Sequence, residues 1–243
     1  MSAYGTDLAY IHDSGFTQLA EAAANLLLAE IGERRDGPVV ELGCGGGVTA
    51  AKLIEAGHEV IGYDLSPEQI EIACGRAPEG RFEVGSFVDA ELPGGALAIA
   101  LIGEVLNYAF DFRNDAGRLR ELIGRAHEAL LPGGLLLFDL AAPGRVPDPQ
   151  PPATHLEGED WAITFAAQEI KAPPMLIRSM TTVRRTPEGL RTDEEKHHLL
   201  LYRREDVEAV LGEAGFEVEV RDGYAPGLVY PGLPVYLARK PAG

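Results

Sequence analysis

The chain has 243 residues, of which 46% are hydrophobic and 24% are charged, a composition typical of a soluble globular protein with one sizeable core. Its formal net charge of −17 repels polyanions, and this argues against nucleic acid as a partner. Two cysteines, no N-terminal secretory signal and no apolar run near the roughly 20 residues that span a bilayer lead us to expect a cytoplasmic protein without a membrane partner.

The first part of the chain alternates predicted helices and strands. In chain order these are a helix at Phe16–Ile31, a strand at Val39–Leu42, a helix at Val48–Ala56, a strand at His58–Asp64, a helix from Ser66, and strands at Phe82–Val84 and Ala96–Ile102, followed by a helix at Arg118–Leu130 and a strand at Leu135–Leu140. Ser66 and Pro67 are typical of a helix start. This alternation predicts an α/β fold with a mostly parallel sheet covered by helices on both faces.

The rhythm changes after Leu140. Five prolines within residues 143–152 exclude a helix or a central strand there. Three strand patterns follow, at Trp161–Phe165, Leu176–Val183 and His197–Tyr202, and they predict an antiparallel insertion. A helix at Arg204–Ala214 and strands at Phe216–Arg221 and Pro234–Arg239 then return to the α/β pattern.

A glycine-rich loop carries the strongest functional signal. Glu41 and Leu42 end a predicted strand, and Gly43, Gly45, Gly46 and Gly47 precede the next helix. Glycines at this junction let the backbone approach a bound ligand closely. Asp64 ends the next strand about 20 residues later, where a carboxylate can accept both hydrogen bonds of a ribose diol. Together these features predict a nucleoside-binding site.

The loop departs from the dinucleotide pattern GxGxxG, because Val48 stands where the third glycine belongs. Glu41, at the strand end, suits a ligand with an ammonium group better than a pyrophosphate. A nicotinamide-dependent oxidoreductase therefore remains an alternative interpretation, supported by the strand, the glycine loop and the acid but not by the full fingerprint.

Six segments in the expected order resemble the class I S-adenosylmethionine-dependent methyltransferases, most closely bacterial members acting on small molecules. The segments are VVELGCGGG (39–47), GYDLSPEQI (62–70), FEVGSF (82–87), ALIGEVLNY (100–108), LLPGGLLLFDL (130–140) and EAGFEVEV (213–220). The resemblance implies a Rossmann-like, seven-stranded, mostly parallel sheet with an antiparallel β insertion after strand five. It implies S-adenosylmethionine as cofactor, with S-adenosylhomocysteine as product.

The resemblance also assigns cofactor-binding roles to residues in these segments. It places Asp64 on the ribose, Ser86 and Phe87 with Leu65 at the adenine, and the exit of the fourth strand at the methionine part and the acceptor pocket. The complete set of expected cofactor residues is Glu41, Gly43, Gly45, Asp64, Leu65, Gly85, Ser86, Phe87, Gly103 and Glu104. The acceptor motif NPPY or DPPY of amino- and base-methylating relatives is missing.

The acceptor side is less defined by sequence. Tyr10, Asn107, Tyr108 and Trp161 are candidates for substrate binding, and a general base is needed only if the acceptor arrives protonated. Candidates for that base are His12, Glu104, His197 and His198, and the pattern does not choose among them. Because side chains alternate along a strand, only one of His197 and His198 can face a pocket. We expect no metal site, since Glu195 and one histidine lack a convincing third ligand.

These observations predict a methyltransferase that modifies an oxygen, nitrogen or carbon atom of a small-molecule acceptor. The acidic surface favours a neutral or cationic acceptor. A cofactor-binding regulator without turnover is a further alternative. The expected organisation is a helical cap at residues 1–36, a Rossmann-like domain at 37–142 and 200–243, and an inserted β region at 143–199 that covers the site. We expect a monomer or homodimer.

Overall fold

The computed structural model describes residues 4–111, 113–114 and 116–243. The helices are α1 (Thr6–Gly15), α2 (Gln18–Ile31), α3 (Val48–Glu55), α4 (Pro67–Arg76), α5 (Ala116–Ala129) and α6 (Arg204–Glu213). The strands are β1 (Val39–Leu42), β2 (Val60–Asp64), β3 (Arg81–Val84), β4 (Ala96–Leu101), β5 (Leu130–Asp139), β6 (Thr154–Glu157), β7 (Trp161–Lys171), β8 (Pro174–Thr186), β9 (Gly189–Leu200), β10 (Glu217–Arg221), β11 (Gly223–Ala225), β12 (Leu228–Val229) and β13 (Val235–Arg239).

Seven strands form the main sheet in the order β10-β13-β5-β4-β1-β2-β3. The pairs from β5 to β3 are parallel, and β13 runs antiparallel to both β5 and β10. The order reverses between β1 and β4, which places the carboxyl ends of these strands beside a crevice where open α/β sheets bind ligands. The expected fold class is confirmed.

Apolar side chains cover the sheet on both faces. On one face, α2 and α3 pack their buried leucines and alanines against β1, β4 and β5. On the opposite face, α5 and α6 pack against the alternate side chains of the same strands. Central strands buried on both faces read as nearly continuous apolar runs, which is why VVEL and ALAIAL were recognisable in the sequence.

The insertion between β5 and α6 is a four-stranded antiparallel sheet in the order β6-β7-β8-β9. It has one strand more than the sequence pattern predicts, since the short exposed strand β6 carries no apolar alternation. Helix α1 packs on this sheet through Leu8 and Ile11, which contact Ile163 and Met180.

The leading helical region differs from the expectation of one helix. The structure has two, because α1 ends at Gly15 and α2 begins at Gln18. The apolar residues of α1 belong to the insertion core, whereas those of α2 belong to the core of the main sheet. The two helices therefore connect the two sheets, and α1 covers the crevice between them.

Asn107 fixes the point where the insertion leaves and rejoins the main sheet. Its fully buried amide donates to the carbonyl oxygens of Ala141 and Leu200 and accepts from the backbone N–H of Ala141, the last bond at 2.9 Å. Ala141 follows β5, where the chain leaves the main sheet, and Leu200 ends β9, where the chain returns to it. The Asn107 side chain therefore joins the start and the end of the insertion. These contacts give Asn107 a structural role and account for its burial.

We predict that Asn107→Ala lowers the free energy of unfolding by about 2–3 kcal/mol, because the Ala141 N–H and the Leu200 carbonyl lose the Asn107 amide, while the Ala141 carbonyl keeps the Tyr202 N–H. Urea denaturation measures the change. Asn25→Ala, at an exposed position of α2, is the matched control and is expected to stay within about 0.5 kcal/mol of the parent. Equal unfolding midpoints for Asn107→Ala and the parent would contradict this role.

Candidate functional site

The glycine loop after β1 is built on left-handed backbone conformations. Gly43, Gly45 and Gly47 have φ values of 76°, 52° and 75°, which side chains with a Cβ adopt only with strain. The N–H groups of Gly43 and Cys44 donate to the Tyr63 carbonyl at 2.7 and 2.9 Å, and these bonds lock the loop against β2. A Cβ at Gly43 would lie 2.5 Å from Val105, so glycine is required there.

Asp64 closes the other side of this loop. Its Oδ2 accepts from the Gly45 N–H and its Oδ1 from the Ser66 N–H, both at 2.9 Å. Burial raises the pKa of the Asp64 carboxyl, and the backbone hydrogen bonds oppose that shift. Ser66 is the N-cap of α4, as the sequence predicts, and its hydroxyl accepts from the Gln69 N–H. Asp64 is thus free of the capping role and is fixed at the loop.

Glu41 is buried behind the loop. Its Oε2 has no hydrogen-bond partner among the described residues. Burial raises the pKa of Glu41 to about 8, although the Thr49 side chain and the Ala50 backbone N–H favour the ionised form. A buried acid with a free oxygen is suited to receive a cationic group, which would restore the carboxylate.

The loop and the carboxyl ends of the strands enclose a first cavity of about 140 Å³. Most of the expected cofactor residues line it, namely Gly43, Gly45, Asp64, Leu65, Gly85, Phe87 and Gly103. Tyr4, His12 and Phe16 cover it from the N-terminal segment. Ser86 is buried beside the cavity, where its hydroxyl accepts from the Val88 N–H.

A second cavity of about 390 Å³ adjoins the first. The two share wall residues, among them His12, Gly103 and Tyr108. The apolar part of its wall comes from α1, the insertion and the loop before β13, through Leu8, Ile163, Phe165, Met180 and Leu233. The polar part includes Glu104, Arg145 and Arg178, together with His12, Gln18 and three tyrosines. The molecule therefore offers two connected compartments, one at the glycine loop and one under the insertion.

Glu104 organises the polar wall. Its Oε1 accepts from Arg145 Nε and its Oε2 from Arg178 Nη2, both at 2.7 Å. Arg178 Nη1 also donates to the Tyr108 hydroxyl, which lies 2.9 Å from the Tyr4 hydroxyl. Burial raises the pKa of Glu104, but the charges of the two arginines outweigh burial and the net direction is downward. Glu104 is thus an ionised partner of two guanidinium groups.

The backbone at Glu104 is also unusual. Its φ of 64° is left-handed in a residue with a side chain. The buried Asp139 carboxylate holds this conformation by accepting from the Gly103 and Glu104 N–H groups, and it accepts from the Tyr224 hydroxyl as well. Burial raises the pKa of Asp139 to about 6. Strained backbone supported in this way is characteristic of functional sites.

The histidines predicted as candidate bases occupy different environments. His12 lies in α1 and lines both cavities. Burial lowers the pKa of His12 to about 4, with Arg178 and His197 adding to that shift and Asp13 opposing it. His197 is buried beside Tyr4 and Phe110 with its Nε2 2.8 Å from Glu195 Oε2, and His198 is exposed. As expected, only one of the adjacent pair points inward, but neither contributes to the cavity walls.

Among the residues predicted for substrate binding, Tyr108 lines both cavities. The Tyr10 hydroxyl donates to Asp160, with the Arg184 guanidinium over its ring at 3.4 Å. Trp161 packs against Gly15 and Gly158 at the margin of the insertion core. Tyr10, Asn107 and Trp161 therefore lie outside the walls of both cavities.

Sequence reasoning missed Arg145 and Arg178. A signal for Arg178 was present, because it alternates with Leu176 and Met180, both buried, on a predicted strand, and a lone charge on an apolar face needs a partner. Arg145 lies in the proline-rich connector, where the sequence has no helical or strand periodicity that could indicate which way a side chain points. Within the described ranges no group of three or more His, Cys, Asp or Glu side chains is placed to hold a metal ion, and no helix is long and apolar enough to cross a membrane.

Comparison with known proteins gives one consistent family. The profile of the methyltransferase domain matches residues 15–220. Malonyl-[acyl-carrier protein] O-methyltransferase of Pseudescherichia vulneris is 30% identical over 156 residues, covering 64% of this chain and 59% of that protein. The probable 18S rRNA (guanine-N(7))-methyltransferase of Dictyostelium discoideum is 31% identical over 130 residues, covering 49% and 42%. The chain thus spans less than two thirds of the length of either relative.

The fold recurs among solved structures. An S-adenosylmethionine-dependent methyltransferase from Clostridium acetobutylicum ATCC 824 superposes with a TM-score of 0.79 at 16% sequence identity, covering 96% of this chain and 97% of that one. A match over nearly the whole of both chains includes the main sheet, the leading helices and the insertion.

We predict that His12 remains neutral in the folded protein until the pH falls to about 4, well below the ordinary histidine value. NMR titration of the ring resonances, assigned with His12→Asn, measures its midpoint. Because the unfolded chain binds this proton at the ordinary value, the contribution of His12 to stability is complete above about pH 6.5 and is lost as the pH falls through about 4. A midpoint at or above 6.5 would contradict the burial argument.

Proposed function

The chain belongs to the class I S-adenosylmethionine-dependent methyltransferase family, and from that premise we propose that it transfers a methyl group to an oxygen, nitrogen or carbon atom of a small-molecule acceptor. The observation that carries the proposal is the pair of adjoining cavities. The first holds the glycine loop and Asp64, the second is under the insertion, and His12 and Gly103 belong to both.

The residues around the first cavity fit the cofactor. We assign the ribose hydroxyls to Asp64, which two backbone N–H groups fix beside the cavity, and the loop glycines leave space that a Cβ would fill. Glu41, with its unpartnered Oε2, suits the methionine ammonium. Leu65, Gly85 and Phe87 supply the surroundings of the adenine, with Ser86 beside them. When bound, S-adenosylmethionine supplies a methyl group activated on a sulfonium.

The chain's own residues would then position the acceptor and exclude water. Helix α1 and the insertion cover the second cavity, and a nucleophile held close to the donor converts an encounter into an effectively intramolecular step. We assign the general base, where the acceptor is protonated, to His12, because among the three candidate histidines it is the one that lines both cavities. Glu104 is unsuited to that role because its carboxylate is held by two arginines.

Enclosure favours a small molecule over a macromolecule. The second cavity is lined by residues of α1 and of β7 and β8 in the insertion, and the net charge of −17 disfavours RNA. The match to the ribosomal RNA methyltransferase named above covers only about half of this chain, so it does not argue for RNA as the acceptor. Residence in the cytoplasm and a monomeric or homodimeric state remain predictions from sequence.

Titration calorimetry tests the cofactor assignment. We expect S-adenosylmethionine and S-adenosylhomocysteine to bind and NADH not to bind. Asp64→Ala is expected to weaken S-adenosylhomocysteine binding by about 2–3 kcal/mol, as for lost hydrogen bonds to a charged group. Asp36→Ala, which removes an exposed carboxylate paired with Arg34, is the control and is expected to bind like the parent.

Three results would contradict the proposal. Binding of NADH alone would replace it with the oxidoreductase alternative. Unchanged affinity in Asp64→Ala would remove that residue from the cofactor site. Tight binding of both adenosyl compounds, without methyl transfer to any acceptor in a broad screen, would favour a regulator that lacks turnover.

We further predict that cofactor binding at pH 7 releases close to one proton. Glu41, with a pKa of about 8, is mainly protonated at pH 7 without ligand, and an adjacent ammonium lowers that pKa and drives the proton off. Calorimetry of S-adenosylhomocysteine in phosphate and in Tris, whose ionisation enthalpies differ, counts the proton. Glu41→Gln should abolish the difference between the buffers, and a parent enthalpy that is independent of the buffer would exclude this role for Glu41.

A further inference from the structure

The wall of the second cavity has one charged cluster. Glu104, Arg145 and Arg178 are its charged side chains among the described lining residues, since burial keeps His12 neutral. Two guanidinium groups share one carboxylate there, and the side chains of Arg145 and Arg178 are only 19% and 20% exposed. Nearby Asp139 does not line the cavity and is already satisfied by two backbone N–H groups and the Tyr224 hydroxyl. The lining therefore carries one positive charge in excess.

The arginines also have unused donors. Arg145 donates to Glu104 and to the Pro231 carbonyl, and Arg178 donates to Glu104 and to the Tyr108 hydroxyl. A guanidinium has five N–H groups, so in the described part of the chain three on each arginine lack a protein acceptor. Both side chains are half-buried, so these donors face the cavity and are available to a ligand that accepts from them.

Both arginines are already held in place. Each is fixed by Glu104 at 2.7 Å, and the Arg145 guanidinium also lies over the Tyr230 ring at 5.8 Å. Little side-chain freedom remains to be lost when an anion binds, and the planar fork of a guanidinium matches two oxygens of one carboxylate. Leu8, Phe165 and Met180 with their neighbours supply an apolar part of the same wall.

We propose, resting on the methyltransferase function above, that the acceptor is a small carboxylic acid with an apolar body, whose carboxylate binds between Arg145 and Arg178. One excess positive charge matches a monoanion better than a phosphate monoester, which carries nearly two negative charges at pH 7. The net charge of −17 led us to expect a neutral or cationic acceptor from the sequence. The proposed carboxylate acceptor departs from that expectation, because the excess charge on the cavity wall is local and positive.

Matched ligand pairs test the proposal on the S-adenosylhomocysteine-bound protein. The probes are butyrate, octanoate, benzoate and 3-phenylpropionate, each beside its primary amide, with 2-phenylethyl phosphate as the dianionic arm. We expect at least one acid to bind tenfold or more tightly than its amide and more tightly than the phosphate. Binding is measured by calorimetry and by thermal shift.

Arginine variants connect that preference to the site. Arg178→Met and Arg145→Met should each remove the preference for acid over amide, with S-adenosylhomocysteine affinity within twofold of the parent. Arg178→Lys retains the charge and should restore part of the preference. Arg184→Met is the matched control, because Arg184 lies six residues along the same strand with a side chain 19% exposed but does not line the cavity. It should leave the preference unchanged, and melting curves establish that each variant is folded.

Several results would overturn the carboxylate site. They are equal binding of acids and amides, binding of no acid, tighter binding of the phosphate, or a preference retained in both arginine variants. A tenfold loss of S-adenosylhomocysteine affinity in Arg178→Met would instead assign the arginines to the cofactor. Failure of the parent to bind S-adenosylhomocysteine, with an arginine-dependent preference for acids intact, would overturn the proposed function and leave the anion site standing.

Discussion

The buried carboxylate of Glu104 is the constraint on which the second cavity depends. It draws together three segments that are distant in sequence: the exit of β4, the proline-rich connector through Arg145, and strand β8 through Arg178. Removing the Glu104 carboxylate would leave two partly desolvated guanidinium groups without their shared partner, at a cost of about 3–5 kcal/mol. Asp139 completes the arrangement by holding the left-handed backbone at Glu104, which by itself costs on the order of 1–3 kcal/mol.

The two compartments are built from different parts of the chain. The glycine loop, Asp64 and Phe87 follow strands of the main sheet, so their positions depend on parallel pairing and on local backbone conformation. The acceptor side takes its apolar wall from α1 and the insertion, with Met180 and Ile163 at the contact. Changes in the insertion can therefore alter the second cavity without disturbing the first, provided that Asn107 still joins the start and the end of the insertion.

Local signals account for what the sequence predicted. Positive φ angles at Gly43 and Gly45 require glycine, and buried parallel strands require apolar runs, so the fold and the first cavity could be read directly. The pairing of Glu104 with Arg145 and Arg178 could not, because it spans 41 and 74 residues and depends on how the inserted sheet lies over the main one. Helix α1 was missed for a related reason: this short helix is stabilised by tertiary packing on the insertion.

Stability alone does not explain why three charged side chains occupy the wall of an otherwise apolar cavity. Buried ion clusters of this kind contribute little net stability, since apolar side chains of similar volume are often as favourable or more so. Their value lies in what they present to a ligand. Glu104 fixes two guanidinium groups before any ligand arrives and neutralises only one of them. The result is a preorganised positive site in a low-dielectric cavity, where a single charge is felt more strongly than the −17 spread over the solvated surface.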